Sequence, residues 1–165
     1  MNRLKLFVFF LLLSGSLTAN PIADLEQVGS ATLKVYFWTV YNSSLYSQDG
    51  KFSGVNPYLA LEIEYRRDIS NAQLISRTAE EWEKQNIFGN DSEQWLKDLR
   101  EFWPDIKKGD VIVLRVNPDL ASEFYLNAEL IGTIADKRFT NDFLAIWLSE
   151  NTSYPKLRDR LVGLQ

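Results

Sequence analysis

A change of periodicity partway along the chain constrains the fold more than any other feature. Between residues 59 and 66 apolar and polar side chains alternate, which is typical of a strand with one buried face. From Ser70 onward the apolar residues recur at helical spacing. Ser70 and Gln73 form a capping box, so a helix is predicted over about residues 70–86. Strand-forming and helix-forming segments are therefore separated along the chain.

The remaining segments continue this separation. The same reasoning predicts strands over 31–37, 41–46, 111–116, 123–127 and 130–133, and helices that begin at Asp91, Asp136 and Pro155. The resulting order is strands, two helices, strands, two helices. Neighbouring strands with segregated helices predict an α+β fold, with an antiparallel sheet that carries its helices on one face.

The first nineteen residues have the composition of a secretory signal peptide. Arg3 and Lys5 precede the apolar run Leu6–Leu13, and small residues lead up to Ala19. The apolar run is much shorter than the ~20 residues of a membrane-spanning helix. We expect cleavage near Ala19 and a single domain over residues 20–165. A cysteine-free exported domain of this size favours the bacterial periplasm, because comparable animal domains usually carry disulfides.

The composition excludes several kinds of chemistry. The chain has no histidine and no cysteine, so it cannot form a Ser-His-Asp triad, a Cys-His pair, a His-rich zinc site or an iron–sulfur site. We therefore expect no metal and no cofactor. The formal net charge of −4 gives no indication of nucleic acid or an anionic membrane surface as a partner, and no stable membrane anchor is expected.

Six short motifs, in a fixed order from about residue 28 to the end, carry a resemblance to a known family. They are Gly29, Tyr41–Tyr46, Leu61–Ile69, Lys108–Asp110, Phe124–Asn127 followed by Ile131–Gly132, and Phe139–Leu148. Together they resemble the chalcone isomerase family, especially its bacterial exported chalcone isomerase-like branch. The resemblance implies an open antiparallel sheet packed under a layer of helices, with an apolar cleft between them.

The resemblance implies the fold more strongly than the family's activity. The plant enzymes cyclise a chalcone without a cofactor, using an arginine, a threonine, a tyrosine, a lysine and an asparagine. Tyr65 matches the tyrosine, but Asp68 stands at the lysine position, Ala72 at the asparagine position and Tyr41 at the threonine position. The first strand has no arginine. No catalytic residue is therefore assigned; if the chain is an enzyme, it is a cofactor-free isomerase.

A ligand site is expected in the cleft near the early strands. Fatty-acid-binding relatives hold a carboxylate with the arginine and a tyrosine. The candidate binding residues here are Lys34, Tyr41, Tyr65 and Arg66, with Arg67 as a second cation directly after Arg66. One of these cations would hold the head group of an acidic amphiphile. The alternatives stay open: Tyr65 as a core residue with its hydroxyl at the rim, and Lys34 on the solvent face.

Two groups of charged residues have simpler interpretations. Arg115 lies in an otherwise apolar strand, so we expect it to pair with a carboxylate on a helix. Glu80 and Glu81 are interpreted as solvent-facing.

Three functional hypotheses follow. The chain is a non-catalytic module that binds a small apolar or acidic ligand, an isomerase or lyase of unknown substrate, or a protein-interaction module without a ligand. A pocket lined by tyrosines and cations would favour the first two, whereas a fully packed cleft would favour the third. The sequence names no protein partner.

Overall fold

Six strands form one antiparallel sheet in the computed structural model, which describes residues 20–164. The signal-peptide prediction falls on residues 1–19, outside this range. The elements are β1 (Glu26–Val35), β2 (Trp38–Ser47), β3 (Ala60–Tyr65), α1 (Asn71–Lys84), α2 (Ser92–Phe102), β4 (Val111–Val116), β5 (Ser122–Leu126), β6 (Glu129–Ile134), α3 (Lys137–Leu148) and α4 (Pro155–Leu161). The strand order follows the chain, β1-β2-β3-β4-β5-β6. The predicted α+β fold is confirmed.

The helices cover one face of the sheet, and the main core lies between the two layers. In β3 the alternation predicted from the sequence is present, with Leu61 and Ile63 buried and Glu62 and Glu64 only half-buried. Aromatic side chains from the helices and β5 fill much of the core in edge-to-face contacts. They include Trp82, Trp95, Trp103, Phe124, Phe139 and Phe143.

Polar caps fix where the helices begin. Ser70 and Gln73 form the predicted capping box at the start of α1. The Asp136 side chain accepts a hydrogen bond from the Arg138 amide at the start of α3. Asp91 precedes α2 as expected, but its side chain makes no capping hydrogen bond. Its carboxylate binds Arg138 instead, at 2.8 Å.

The N-terminal segment packs against the outer face of the sheet through Arg115. The Arg115 guanidinium donates two hydrogen bonds to the Asp24 carboxylate, at 2.6 and 2.8 Å, and a third to the Pro21 carbonyl. The prediction of a helix carboxylate as its partner is therefore wrong. Residues of even number in β4 point inward and Arg115 points outward, away from every helix of the inner layer.

Helix α4 packs closely against the edge strand β1. Leu157 and Leu161 are buried beneath it. A Cβ atom at Gly29 would lie only 2.1 Å from the Arg160 carbonyl oxygen. Glycine at this position therefore lets the helix end approach the strand backbone. Within residues 20–164 no helix has both the length and the apolar character needed to cross a bilayer.

Candidate ligand-binding cavity

A cavity of about 450 Å³ lies between the inner face of the sheet and helices α1 and α3. Its deep part is apolar, with walls made by Ile112 and Leu114 of β4, Phe124 of β5, and Phe143 of α3. These side chains are all buried. The volume falls within the range of roughly 300–1,000 Å³ that is usual for small-molecule sites. The cleft is thus not fully packed.

The mouth of the cavity is formed by the lining residues that are exposed to solvent. Val35 at the end of β1 is 44% exposed. Arg67, Gln73 and Arg77 are also exposed and line the same cavity. Two guanidinium groups therefore flank the entrance, and Arg67 has no ion pair within residues 20–164. The Asp68 carboxylate lies at the same entrance, so the entrance carries charges of both signs, whereas the deep part of the cavity is apolar.

Two tyrosine hydroxyls lie inside the cavity, on neighbouring strands. Tyr41 of β2 is directly opposite Tyr65 of β3 in the sheet register, and their ring centroids are 6.1 Å apart. The indole nitrogen of Trp147 donates a hydrogen bond to the Tyr41 hydroxyl at 2.9 Å. The Tyr65 hydroxyl has no hydrogen-bond partner among residues 20–164, and Tyr65 as a whole is 7% exposed. It is therefore free to bind a ligand.

Both tyrosines remain protonated near neutral pH. Burial raises the pKa of Tyr41, against the smaller opposing effect of the Trp147 hydrogen bond. Burial alone raises the pKa of Tyr65. A neutral phenol donates a hydrogen bond and does not act as a base. The two hydroxyls therefore suit binding of an acceptor group rather than proton abstraction.

A charged network on α1 forms one wall of the cavity. Arg77 donates hydrogen bonds to the Tyr154 hydroxyl at 2.5 Å and to Glu80 at 2.8 Å, and lies 3.1 Å from Glu81. Lys84 binds the same Glu81 oxygen, Oε1, at 3.0 Å. The Glu81 side chain is only 2% exposed, so the interpretation of Glu81 as solvent-facing is wrong. Leu74, Thr78 and Glu81 share one helical stripe, and this stripe turns Glu81 toward the core.

Two buried polar atoms on the cavity wall lack partners. Oε2 of Glu81 and the indole nitrogen of Trp103 have no hydrogen bond within residues 20–164. A buried polar group without a partner is costly, by about 1–3 kcal/mol. Such groups are uncommon in folded proteins away from functional positions.

In the described part of the chain, no three acidic side chains are grouped so as to hold a metal ion.

The structure separates the four binding residues expected from the sequence into two pairs. Tyr41 and Tyr65 line the cavity. Lys34 lies outside it, in a shallow groove between β1 and α4. Arg66 is exposed on the other side of β3 and pairs with Glu64 at 2.8 Å. The geometry of the described residues gives no support to ligand contacts by Lys34 and Arg66, and those contacts stay a prediction.

Arg67 and Arg77 are the arginines that line the cavity. Of the two cations directly after Tyr65, the structure brings Arg67 and not Arg66 to the cavity; this choice depends on the turn toward α1, because both residues lie beyond the end of β3. Arg77 was not expected at the site, although it follows Leu74 by three residues and so lies beside the buried stripe of α1. Asp68, also at the rim, accepts a hydrogen bond from the Lys108 amide at 2.9 Å.

The fold and the cavity together define an open-sheet α+β protein with a pocket between its sheet and its helical layer. Residues 20–163 match the family model described as chalcone isomerase-like, and the chain belongs to that family. An uncharacterized protein of Haemophilus influenzae is 26% identical over 160 residues, which cover 97% of this chain and 79% of that protein.

A solved structure shares the fold at low sequence identity. It is the Arabidopsis thaliana fatty-acid binding protein, which superposes with a TM-score of 0.67 and 10% identity. The match covers 86% of this chain and 88% of the Arabidopsis chain. At this identity the likeness establishes the shared architecture, and it confirms the fold predicted from the sequence motifs.

Proposed function

We propose that this protein is a non-catalytic binding protein that holds a small apolar or acidic ligand in the cavity between its sheet and its helices. The observation that carries the proposal is the cavity of about 450 Å³ with an apolar interior and two arginines at its mouth. The description of the Arabidopsis neighbour as a fatty-acid binding protein supports it. A fully packed cleft, which would have favoured an interaction module, is absent from the described residues.

The ligand that fits best is an acidic amphiphile. Its apolar body would lie against Leu114, Phe124 and Phe143, where burial of apolar area provides most of the affinity. Its carboxylate would stay at the mouth, within reach of Arg67 and Arg77. A hydrogen bond that involves a charged group contributes about 1.5–3 kcal/mol, so this end of the ligand determines which amphiphiles are preferred.

The cyclase alternative has less support. Closing a chalcone ring requires cations or aimed donors that stabilise a phenolate and a developing enolate. The backbone hydrogen bond from Lys108 lowers the pKa of Asp68, so the family's lysine is replaced by an anion. Ala72 at the asparagine position is exposed on α1. We expect naringenin chalcone to turn over at no more than its spontaneous rate, measured by loss of its visible absorbance.

The proposal is tested by titrating the protein with laurate and with its neutral alcohol, dodecanol. Trp103 and Trp147 line the cavity, so intrinsic fluorescence should report on its occupancy. Both probes should give saturable signals. Laurate should bind tighter by about tenfold or more, the equivalent of one charge-assisted hydrogen bond.

Two neighbouring arginines supply a matched pair of variants. Arg67→Gln removes a guanidinium that lines the mouth, whereas Arg66→Gln removes one that points away from it. The first should abolish most of the preference for laurate and the second should leave it unchanged. Lys34→Gln should also have no effect. Equal loss in the Arg66 and Arg67 variants would overturn the assignment of the head-group site.

The hydroxyl of Tyr65 is tested separately. Tyr65→Phe removes a donor that has no partner among the described residues, so stability should change little while laurate affinity falls. If neither laurate nor dodecanol binds the unaltered protein, the ligand-binding proposal fails and the interaction module becomes the better hypothesis.

Export remains a proposal of its own. It rests on the basic start, short apolar run and small-residue end of residues 1–19. N-terminal sequencing of the protein recovered from a periplasmic extract should begin near Asn20. Recovery of the intact chain with Met1, confined to the cytosol, would exclude export.

A further inference from the structure

The tip of the β1–β2 hairpin exposes four large apolar side chains in a row. Val35, Tyr36, Phe37 and Trp38 are 44%, 92%, 85% and 63% exposed. Elsewhere in the described residues large apolar side chains are exposed singly. The tip extends past the pairing of β2 with β3, which begins at Tyr41. Its residues Tyr36 and Phe37 form the two-residue connection between β1 and β2.

The backbone at the tip is an unusual place for an aromatic residue. Tyr36 has a φ of 54°, in the left-handed region that glycine and asparagine adopt at the least cost. Two-residue hairpins usually place glycine, asparagine or aspartate here. The tip therefore carries large aromatic side chains where turn chemistry alone favours small ones. Exposure and backbone strain together indicate a surface that contacts something other than water.

A basic groove adjoins the tip. The groove lies between β1 and α4, and its lining includes Lys34, Lys156 and Arg160 but no acidic residue. None of these three cations has an ion pair within residues 20–164. The net charge of −4 is a sum over the whole chain, whereas attraction to a surface depends on the charges within about one Debye length of it.

The tip, the groove and the cavity are continuous. Val35 belongs to the exposed tip and also lines the cavity mouth. Leu33 and Tyr154 line both the cavity and the basic groove. A molecule that meets the tip is therefore next to the entrance of the apolar cavity.

We propose that the β1–β2 tip and the basic groove dock on the surface of an anionic lipid bilayer. Tyrosine and tryptophan prefer the interface between headgroups and acyl chains. Neighbouring lysines and arginines attract anionic headgroups. The docking does not depend on which ligand the cavity binds. The role of the docking, which is to bring the cavity mouth to a bilayer from which a ligand can enter, rests on the proposed function.

Vesicle co-sedimentation tests the docking. The full domain is mixed with vesicles of phosphatidylcholine alone, or of phosphatidylcholine and phosphatidylglycerol in a seven-to-three ratio. The protein should bind the mixed vesicles more tightly, and added salt should weaken that binding. No binding to the mixed vesicles would overturn the proposal.

The tip variant is Tyr36→Gly with Phe37→Asn. It supplies the residues that a turn with a positive φ at its first position favours, so the hairpin should remain folded. Binding to mixed vesicles should fall by at least about tenfold, because apolar area buried in the interface is lost. Phe88→Ser is the control, since Phe88 is an exposed aromatic in the loop between α1 and α2. It should bind as the unaltered protein does.

The groove variant is Lys34→Gln with Lys156→Gln. It should reduce binding to the mixed vesicles by roughly tenfold to thirtyfold, from the loss of two surface cations. It should not change binding to phosphatidylcholine alone. Equal binding of the tip variant and the unaltered protein would overturn the docking. Self-association of the unaltered protein that is abolished in the tip variant would also overturn the docking.

The two proposals fail separately. Tyr36 and Phe37 do not line the cavity, so the tip variant should titrate with free laurate as the unaltered protein does. Vesicle binding without laurate binding would leave the docking in place and remove the proposed ligand. Laurate binding without vesicle binding would leave the proposed ligand in place and remove the docking.

Discussion

Replacing Gly29 with alanine should destabilise the protein by forcing α4 away from β1. The added Cβ would lie 2.1 Å from the Arg160 carbonyl oxygen and 2.7 Å from that of Leu161. Both atoms belong to the backbone, so no side-chain rotation relieves the overlap. The helix end and the strand must separate by about 1 Å to restore an ordinary contact.

The cost follows from what that separation disturbs. Leu157 and Leu161 are 7% and 0% exposed beneath α4, and their packing loosens when the helix moves. Overpacking of this kind costs about 1–3 kcal/mol. The alanine also lowers the conformational entropy of the unfolded chain, which offsets about 0.4–1 kcal/mol of this cost. The net cost is therefore up to about 2.6 kcal/mol, and for a domain of this size the Tm should fall by up to about 10 °C.

Thermal unfolding followed by circular dichroism measures the effect, and Gly89→Ala provides the matched control. The nearest atom to a Cβ at Gly89 is 3.9 Å away. That variant should be as stable as the unaltered protein or up to about 4 °C more stable, from the unfolded-state effect alone. If Gly29→Ala matches Gly89→Ala, the close contact between α4 and β1 does not exist as described.

Three further predictions concern stability. Hydrogen bonds from Arg115 lower the pKa of Asp24 to about 2, so its contribution is complete above about pH 4 and is lost as the pH falls through about 2. Asp24→Asn should therefore cost up to about 1 kcal/mol at pH 7 and only a small part of that at pH 2 in urea unfolding. Tyr41→Phe leaves the Trp147 indole without its acceptor and should cost about 1–3 kcal/mol; a neutral effect in urea would contradict that hydrogen bond. Ser70→Ala removes the cap of α1 and should cost about 0.5–2 kcal/mol in the same assay, unless the cap is absent in solution.

The elements of the fold could be predicted from the sequence because their signals are local. Alternation in residues 59–66 marks β3, and the Ser70 capping box marks the start of α1. The pairing of strands needs distant information, which came from the order of the family motifs. The partner of Arg115 could not be found this way, because Asp24 lies in a segment with no periodic pattern.

The site was harder to predict than the fold because it depends on which side of an element each cation faces. Tyr65 faces the cavity, so the alternation that identified β3 already turned Arg66 outward. The direction of Arg67 is set by the turn after β3, beyond the reach of that alternation. Arg77 and Glu81 could have been found by extending the buried stripe of α1 to its charged members.

The order of strands in the sheet has a kinetic consequence. Four of the five strand pairs join strands that follow one another directly in the chain, but β3 and β4 are separated by residues 66–110. Two three-stranded meanders can therefore form early, each from contacts of short sequence separation. Pairing β3 with β4 joins the two meanders and closes the longest loop between neighbouring strands. The conformational entropy of that loop is lost before the hydrogen bonds between β3 and β4 are gained. Variants within either meander should therefore slow folding, whereas variants at the pairing of Ile63 with Ile112 should mainly speed unfolding.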